Sequence, residues 1–258
     1  MFVEEREANR LPQIKQHYYY QVFNSMDPPL KFHCPKKDQC AICEVLRLPG
    51  DGCKAATAEE LEEHKIRVIQ SRALKQNYKA QALQSEAVEY ITFDLQSVLY
   101  APWSPVSTFY YKRKLSIFNF TIMDSAKKGF CYLWPDQEGK RGGNEIGTCL
   151  WRWFCESAYK RIETLFLFSD GCWGQNKNSM VLSMLCYILT SRVLPLLCVI
   201  EYTVLERGHT MMEVDCMHSV IEGERARRRA IYTVDEWFHV TRDAIKTREK
   251  RKYKVRLY

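Results

Sequence analysis

The sequence opens without a charged-then-apolar leader, so a signal peptide is not expected. Its most apolar region, Met180 to Ile200, is interrupted by Ser191-Arg192 and by Pro195, which excludes a membrane-spanning helix there. There is no internal repeat and no complete helix-turn-helix. The polar first 30 residues read instead as a short helix over about 9–25, carrying the Tyr18-Tyr19-Tyr20 cluster, with a stop at Pro28-Pro29. What remains is ordinary globular composition: 46% hydrophobic and 27% charged over 258 residues, enough for one large core plus an appendage. The formal net charge of +7 favours a polyanionic partner. The eleven cysteines are scattered, several within apolar runs (Cys149, Cys186, Cys198). Without a secretory leader they read as reduced, buried thiols of a cytosolic or nuclear protein.

The chain divides by pattern into a helical N-terminal region, 1–86, and an α/β region, 87–258. The first holds a candidate zinc knuckle over 33–64. Cys40-x-x-Cys43 can grip a tetrahedral zinc ion from a tight turn but needs two further ligands. His64 and Cys34 are the first candidates, with His33 and Cys53 behind them. Ordinary reduced cysteines are the other reading, and a redox pair is disfavoured because no strand precedes the motif. Thr57-Ala58-Glu59-Glu60 is a capping box, in which hydroxyl and carboxylate satisfy each other's orphan amides. It opens a long helix to about Ser85 with a partial apolar stripe, suited to packing or to pairing with a second copy.

From Val88 the period changes to two. Strands are expected at 88–93, 111–123 and 129–134, with a Pro-rich loop (Pro102, Pro105) after the first. Helical spacing follows over 144–160, then a strand at 164–168, an apolar helix over 178–190 expected to be buried, a strand at 198–205, a helix over 211–229 and a last helix from Asp235. The basic end from Lys246 reads as frayed. Three strands, helix, strand, helix, strand, helix is the order of a ribonuclease-H-like mixed five-stranded sheet flanked by helices.

Acidic residues fall at telling points of that order. Asp94 ends the first strand, Glu145 lies in the first turn of the helix after Gly142-Gly143, and Asp170 ends the fourth strand. Asp215 lies on the helix after the fifth strand, with Glu213 and Glu222 as rivals for its place. Open α/β sheets place their chemistry at the carboxyl ends of their strands. Clustered carboxylates repel one another unless cations neutralise them. Two hard divalent ions about 3.5–4 Å apart would do so, and would activate the attacking oxygen and stabilise the leaving one in phosphodiester cleavage. Carboxylates select Mg²⁺ or Mn²⁺ over a soft metal. The bland alternative is a set of solvated acids at strand ends.

Several boxes resemble a widespread family of transposon-derived animal proteins: Phe93-Asp94-Leu95-Gln96; Asn144-Glu145-Ile146; Phe168-Ser169-Asp170-Gly171-Cys172 with Gln175-Asn176-Lys177-Asn178; and Gly208-His209-Thr210 with Met212-Glu213-x-Asp215-x-x-His218. Lys36-Lys37-Asp38-Gln39-Cys40-Ala41-Ile42-Cys43 matches a box upstream in that family. The resemblance implies a ribonuclease-H-like transposase core in which Asp94, Asp170 and Asp215 form the acidic triad and Glu145 a fourth carboxylate. It implies DNA as partner and the nucleus as location. Gln175, Asn178, His209 and His218 become candidates for contacting substrate, and each also has a plain capping or packing reading. Trp173 departs from the pattern, standing where a small residue is expected: it either narrows the site or marks decay. The DNA-binding region of a working transposase is not seen upstream, so the alternative is a domesticated, inactive relic that binds DNA or protein.

Residues 223–258 carry twelve Lys or Arg against five acids, densest at Arg227-Arg228-Arg229 and Lys250-Arg251-Lys252, and Lys112-Arg113-Lys114 adds a further run. Such runs suit a phosphate backbone, and equally a solvated face or a nuclear-import signal.

Overall fold

The computed structural model describes residues 15–30, 40–45, 58–126, 128–156, 161–246 and 255–257. The chain forms two compact units, Met1–Gln39 and Cys40–Tyr258. In the first, helix α1 (Gln16–Asn24) leaves Tyr18, Tyr19 and Tyr20 exposed.

The second unit is built on β1 (Val88–Leu95), β2 (Leu99–Ala101), β3 (Leu115–Asp124), β4 (Gly129–Pro135), β5 (Thr164–Ser169), β6 (Val199–Val204) and β7 (Val255–Leu257). The helices are α2 (Ala41–Val45), α3 (Ala58–Gln84), α4 (Gly143–Glu156), α5 (Ser179–Ser191), α6 (Glu213–Arg227) and α7 (Val234–Lys246). The seven strands form one mixed sheet in the order β6-β5-β1-β3-β4-β7, with β2 paired to β3 off that path. β1, β3 and β4 are an antiparallel succession, and β5 and β6 run parallel to β1.

Alternation along the strands sorts the core into two layers, because successive side chains leave opposite faces of the sheet. Ile91, Phe93 and Leu95 of β1, with Leu165 and Leu167 of β5, pack under α4 and α5 through Ile146, Leu150, Trp153, Val181 and Leu185. Tyr90 of β1, with Phe166 and Phe168 of β5, packs under α3, α6 and α7 through Val214, Met217, Ile221 and Trp237. The long helix α3 is part of this second layer. Tyr78 stacks on Phe166 at 3.7 Å between ring centroids, and Lys75 and Lys79 pair with Glu213 of α6. The capping box expected to start α3 at Thr57 lies outside the described residues.

Four expectations need correction. The sheet has seven strands, not five. β2 forms inside the Pro-rich loop by pairing Leu99–Ala101 with Ile117–Leu115, and β7 forms in the tail expected to fray. β7 pairs parallel to β4 and covers what would otherwise be an open edge, where unpaired amides invite other strands. Helix α5 is not buried all round: Val181, Leu185 and Ile188 face the sheet, but Met180, Leu182 and Tyr187 are more than half exposed. It packs through one stripe, so its second apolar face is left at the surface. Cys149 is buried as expected, but Cys186 and Cys198 are exposed. The described cysteines form no disulfide with one another.

The turn from β3 to β4 offers a test of electrostatics. Asp124 accepts the Lys128 amide at 2.7 Å while almost wholly buried. Burial and the neighbouring Glu89 carboxylate push its carboxyl up to about 6. Between the ordinary carboxylate value and 6 the folded chain holds a proton the unfolded chain has lost, so stability falls as pH rises through this window. Asp124→Asn keeps the acceptor and removes the charge. It is expected to stabilise the protein by up to about 3 kcal/mol at pH 8, with no gain below about pH 4. Denaturant titrations at both pH values check this, and a gain that persists in acid would exclude the charge as its source.

Candidate active site and cysteine–histidine cluster

β1 and β5 are parallel neighbours in the middle of the sheet, with Tyr90 opposite Phe166 and Thr92 opposite Phe168. Continuing that register by two residues brings Asp94 level with Asp170, just past the end of β5. Both share the parity of Tyr90, Phe166 and Phe168, the residues that face α6. Strand register thus carries both residues to one rim of the sheet, where the Asp170 carboxylate is close enough to raise Asp94.

Helix α6 supplies the third. Its first turn carries Glu213 and Asp215, and the i, i+3 spacing puts His218 on the same side as Asp215. The Oδ2 of Asp215 accepts the Met212 amide at 2.8 Å, which fixes the carboxylate at the helix start. Ligand-capable atoms of Asp94, Asp215 and His218 all lie within 4.8 Å of one another. The two rival acids on α6 are engaged elsewhere. Glu213 holds Lys75, Lys79 and the Tyr90 hydroxyl, and Glu222 holds Arg225 and the Gln96 amide.

The electrostatics are those of an acid cluster short of positive charge. Burial, then Asp170, then Asp215 drive the Asp94 carboxyl up to about 8, against the pull of the Leu95 amide. Burial holds the His218 imidazole down to about 4, so it is neutral at physiological pH, and its buried Nε2 has no hydrogen-bond partner among the described residues. Asp170 is held from behind: its Oδ1 accepts Asn176 Nδ2 at 2.5 Å and the Cys172 amide at 3.3 Å. Asn176 is fully buried, and its carbonyl accepts the Tyr202 hydroxyl, which also bonds Ser169 Oγ at 2.7 Å. A divalent cation fits this set. It would relieve the repulsion that raises Asp94 and use the unpartnered nitrogen of a neutral imidazole. With one imidazole among the carboxylates, the donors favour Mn²⁺ over Mg²⁺.

A family model described as a domain of unknown function (DUF7869) matches residues 116–257, more than half of the chain. The chain belongs to the DUF7869 family. No curated protein and no solved structure matches it. The DUF7869 span takes in Asp170, His209, Asp215 and His218, whereas β1 with Asp94, and the segment from Cys40 to His64, precede it.

Glu145 does not join the cluster. It stands on α4, which packs on the opposite face of the sheet, and its carboxylate accepts the amides of Lys140 at 3.0 Å and Gly142 at 3.1 Å. Slight burial pushes it up, but those amides and its own outweigh this and hold it below the usual range. Asn178 is the N-cap of α5: its Oδ1 accepts the Val181 amide, and its Nδ2 donates to the carbonyls of Trp173 and Gln175. Gln175 is half-buried in that turn. Trp173 is 66% exposed, with Lys177 Nζ 4.6 Å from its ring centre, so its indole lies at the surface.

His209 stands apart from the carboxylates, in the turn between β6 and α6. There it meets Cys40, Cys43 and His64, all four side chains offering atoms within 4.8 Å of one another. Cys34 lies outside the described residues. Of the basic runs, Arg227 and Arg228 pair with Glu224, and Arg228 also with Asp243. Lys250-Arg251-Lys252 lies outside the described residues.

Asn176 and Tyr202 were not singled out from the sequence as site residues. The signal for Asn176 was its place in the turn after Asp170, an Asn in a polar run that opens a helix. Tyr202 gave none, since an aromatic residue in a strand reads as core.

Proposed function

We propose that this protein is a divalent-metal-dependent phosphodiester-cleaving or strand-transferring enzyme with a ribonuclease-H-like core, derived from a transposase and acting on DNA in the nucleus. The observation that carries the reading is the meeting of Asp94 of β1 with Asp215 and His218 of α6, with Asp170, just past the end of the neighbouring parallel strand, near enough to raise the Asp94 carboxyl. The strand order β4-β3-β1-β5-β6, antiparallel on one side of β1 and parallel on the other, supports the fold assignment.

A bound Mn²⁺ or Mg²⁺ would supply Lewis acidity toward a phosphodiester. The chain's own groups do the rest. Asp94 and Asp215 present carboxylate oxygens from two elements packed against each other, and Asp170 accepts a hydrogen bond from Asn176. Neutral His218 offers a lone pair without adding positive charge. Glu145 has no part in this version of the site, because its oxygens are bound to a turn on the other face.

The test is calorimetric titration of the full chain with Mn²⁺, alongside incubation with labelled duplex and single-stranded DNA. Carboxylate-dependent Mn²⁺ binding and metal-dependent nicking or joining are expected. DNA binding without either would leave the domesticated binding module in its place, and attack on free ends alone would favour an exonuclease.

A further inference from the structure

We propose that Cys40, Cys43, His64 and His209 form a structural zinc site that ties the Cys40–Val45 segment and helix α3 to the turn entering α6. The ligands come from three separate stretches of chain. Cys40 Sγ lies 3.2 Å from His64 Nε2, and Cys43 Sγ lies 3.4 Å from His209 Nε2. The two imidazoles are neighbours, tilted by 53° with ring centroids 5.1 Å apart. A tetrahedral zinc ion with Zn–S near 2.3 Å and Zn–N near 2.0–2.1 Å sets its ligand atoms about 3.3–3.8 Å apart. The two cysteine–histidine pairs stand close to that spacing, and all four ligand atoms lie within 4.8 Å of one another. Two thiols and two imidazoles are the donor chemistry zinc selects over Mg²⁺.

The surroundings fit a closed structural site. His64 is 1% exposed and Cys40 8%. The Nδ1 of His64 is directed to Glu206 Oε2 at 3.7 Å, and Arg67 holds the other oxygen of Glu206 at 2.7 Å. At 3.7 Å the His64–Glu206 approach is a charge contact and not a hydrogen bond, and it places a carboxylate behind the histidine, where metal-ligating histidines commonly carry one. Gly208, beside His209, has φ +74°, and a Cβ there would meet the Cys40 nitrogen at 2.8 Å. The backbone of the turn thus lies directly against the first cysteine, which only glycine permits. Four thiol and imidazole groups held by hydrogen bonds alone would not require ligands from a strand–helix turn and a knuckle to converge on one point.

The turn that bears His209 leads within six residues to Asp215. Lys75 of α3 donates to the Met211 carbonyl at 2.6 Å between them. Zinc therefore holds the start of α6 in place. That consequence for the carboxylates rests on the function proposed above, but the zinc site itself does not.

The experiment is elemental analysis of full-length, tag-free protein, followed by cobalt exchange. One zinc per chain is expected, and cobalt should show the visible ligand-field and thiolate charge-transfer bands of a tetrahedral site. His209→Ala should lose the metal, His209→Cys should keep it as a three-thiolate site, and Cys34→Ser should retain one equivalent. Asp170→Asn should retain zinc while losing Mn²⁺ binding, so failure of one site is distinguishable from failure of the other. Absence of zinc and of the cobalt bands in the natural chain would overturn the proposal. So would metal retained in a folded His209→Ala variant, or a Cys40–Cys43 disulfide in freshly purified protein.

Discussion

Asp94→Asn is expected to reduce metal-dependent DNA cleavage by at least about 10³-fold, and at the same time to raise the melting temperature of the metal-free protein. Both effects come from the same carboxylate. The Asp94 carboxyl is pushed up by burial and by Asp170 and Asp215. Without a cation its charge is a liability to the fold, and asparagine removes the repulsion while keeping the shape. With a cation bound, the same charge is a ligand, and losing it forfeits several kcal/mol of transition-state stabilisation. Opposite signs for stability and activity are the mark of a functional site rather than a structural ion pair. Adding Mn²⁺ should raise the melting temperature of the natural chain and leave Asp94→Asn unmoved. The double variant Asp94→Asn/Asp170→Asn should lose little further activity, since residues that act as a unit are not additive. Single-turnover cleavage and thermal melts with and without Mn²⁺ check these outcomes. A variant that melts lower than the natural chain and still cleaves would remove Asp94 from the site.

The second large effect is expected at Gly208. Alanine there must adopt a left-handed backbone, which costs an L-residue about 1–2 kcal/mol. Its methyl would also sit 2.8–3.0 Å from the nitrogen, Cα and Cβ of Cys40. Two of these are main-chain atoms, so the clash cannot be relieved by rotating a side chain. Gly208→Ala is expected to destabilise the fold by about 2–4 kcal/mol and to expose the segment around Cys40 to protease. Gly223 gives the matched control. It lies inside α6, and a methyl added there would meet nothing within 4 Å, so Gly223→Ala should stabilise by about 0.5–1 kcal/mol. Urea titrations of the two variants check the pair. Equal midpoints would mean that the turn does not need to approach Cys40 as closely as it does here.

The contrast between the two clusters bears on how the molecule is assembled. The carboxylate site is made by neighbours in the sheet: β1 and β5 pair directly, and α6 lies across them. The cysteine–histidine cluster is made by a short segment brought 166 residues in sequence to meet His209. It lies mostly ahead of the DUF7869 span yet closes on a turn inside it. Helix α3 links the two, since Lys75 and Lys79 hold Glu213 two residues before Asp215.

Local pattern was enough for the longer strands and helices of the α/β region, but not for the short strands β2 and β7, which form only by pairing with β3 and β4. The strand runs ending at Asp94 and Asp170 put those two acids at strand ends, and the helical run after the next strand put Asp215 and His218 one turn apart on α6. The Cys40-x-x-Cys43 pair and His64 were legible as metal ligands in waiting. Tertiary structure alone decided which partners those sides met. It chose Asp215 over Glu213 and Glu222, because lysines of α3 and Gln96 claim the other two. It sent Glu145 to the opposite face, drew His209 away from the acids to the cysteines, and left half of α5 in solvent. The physical reason is that periodicity fixes the side of an element on which a residue stands. The neighbour on that side depends on packing and turn closure between stretches far apart in the chain, which no local pattern records.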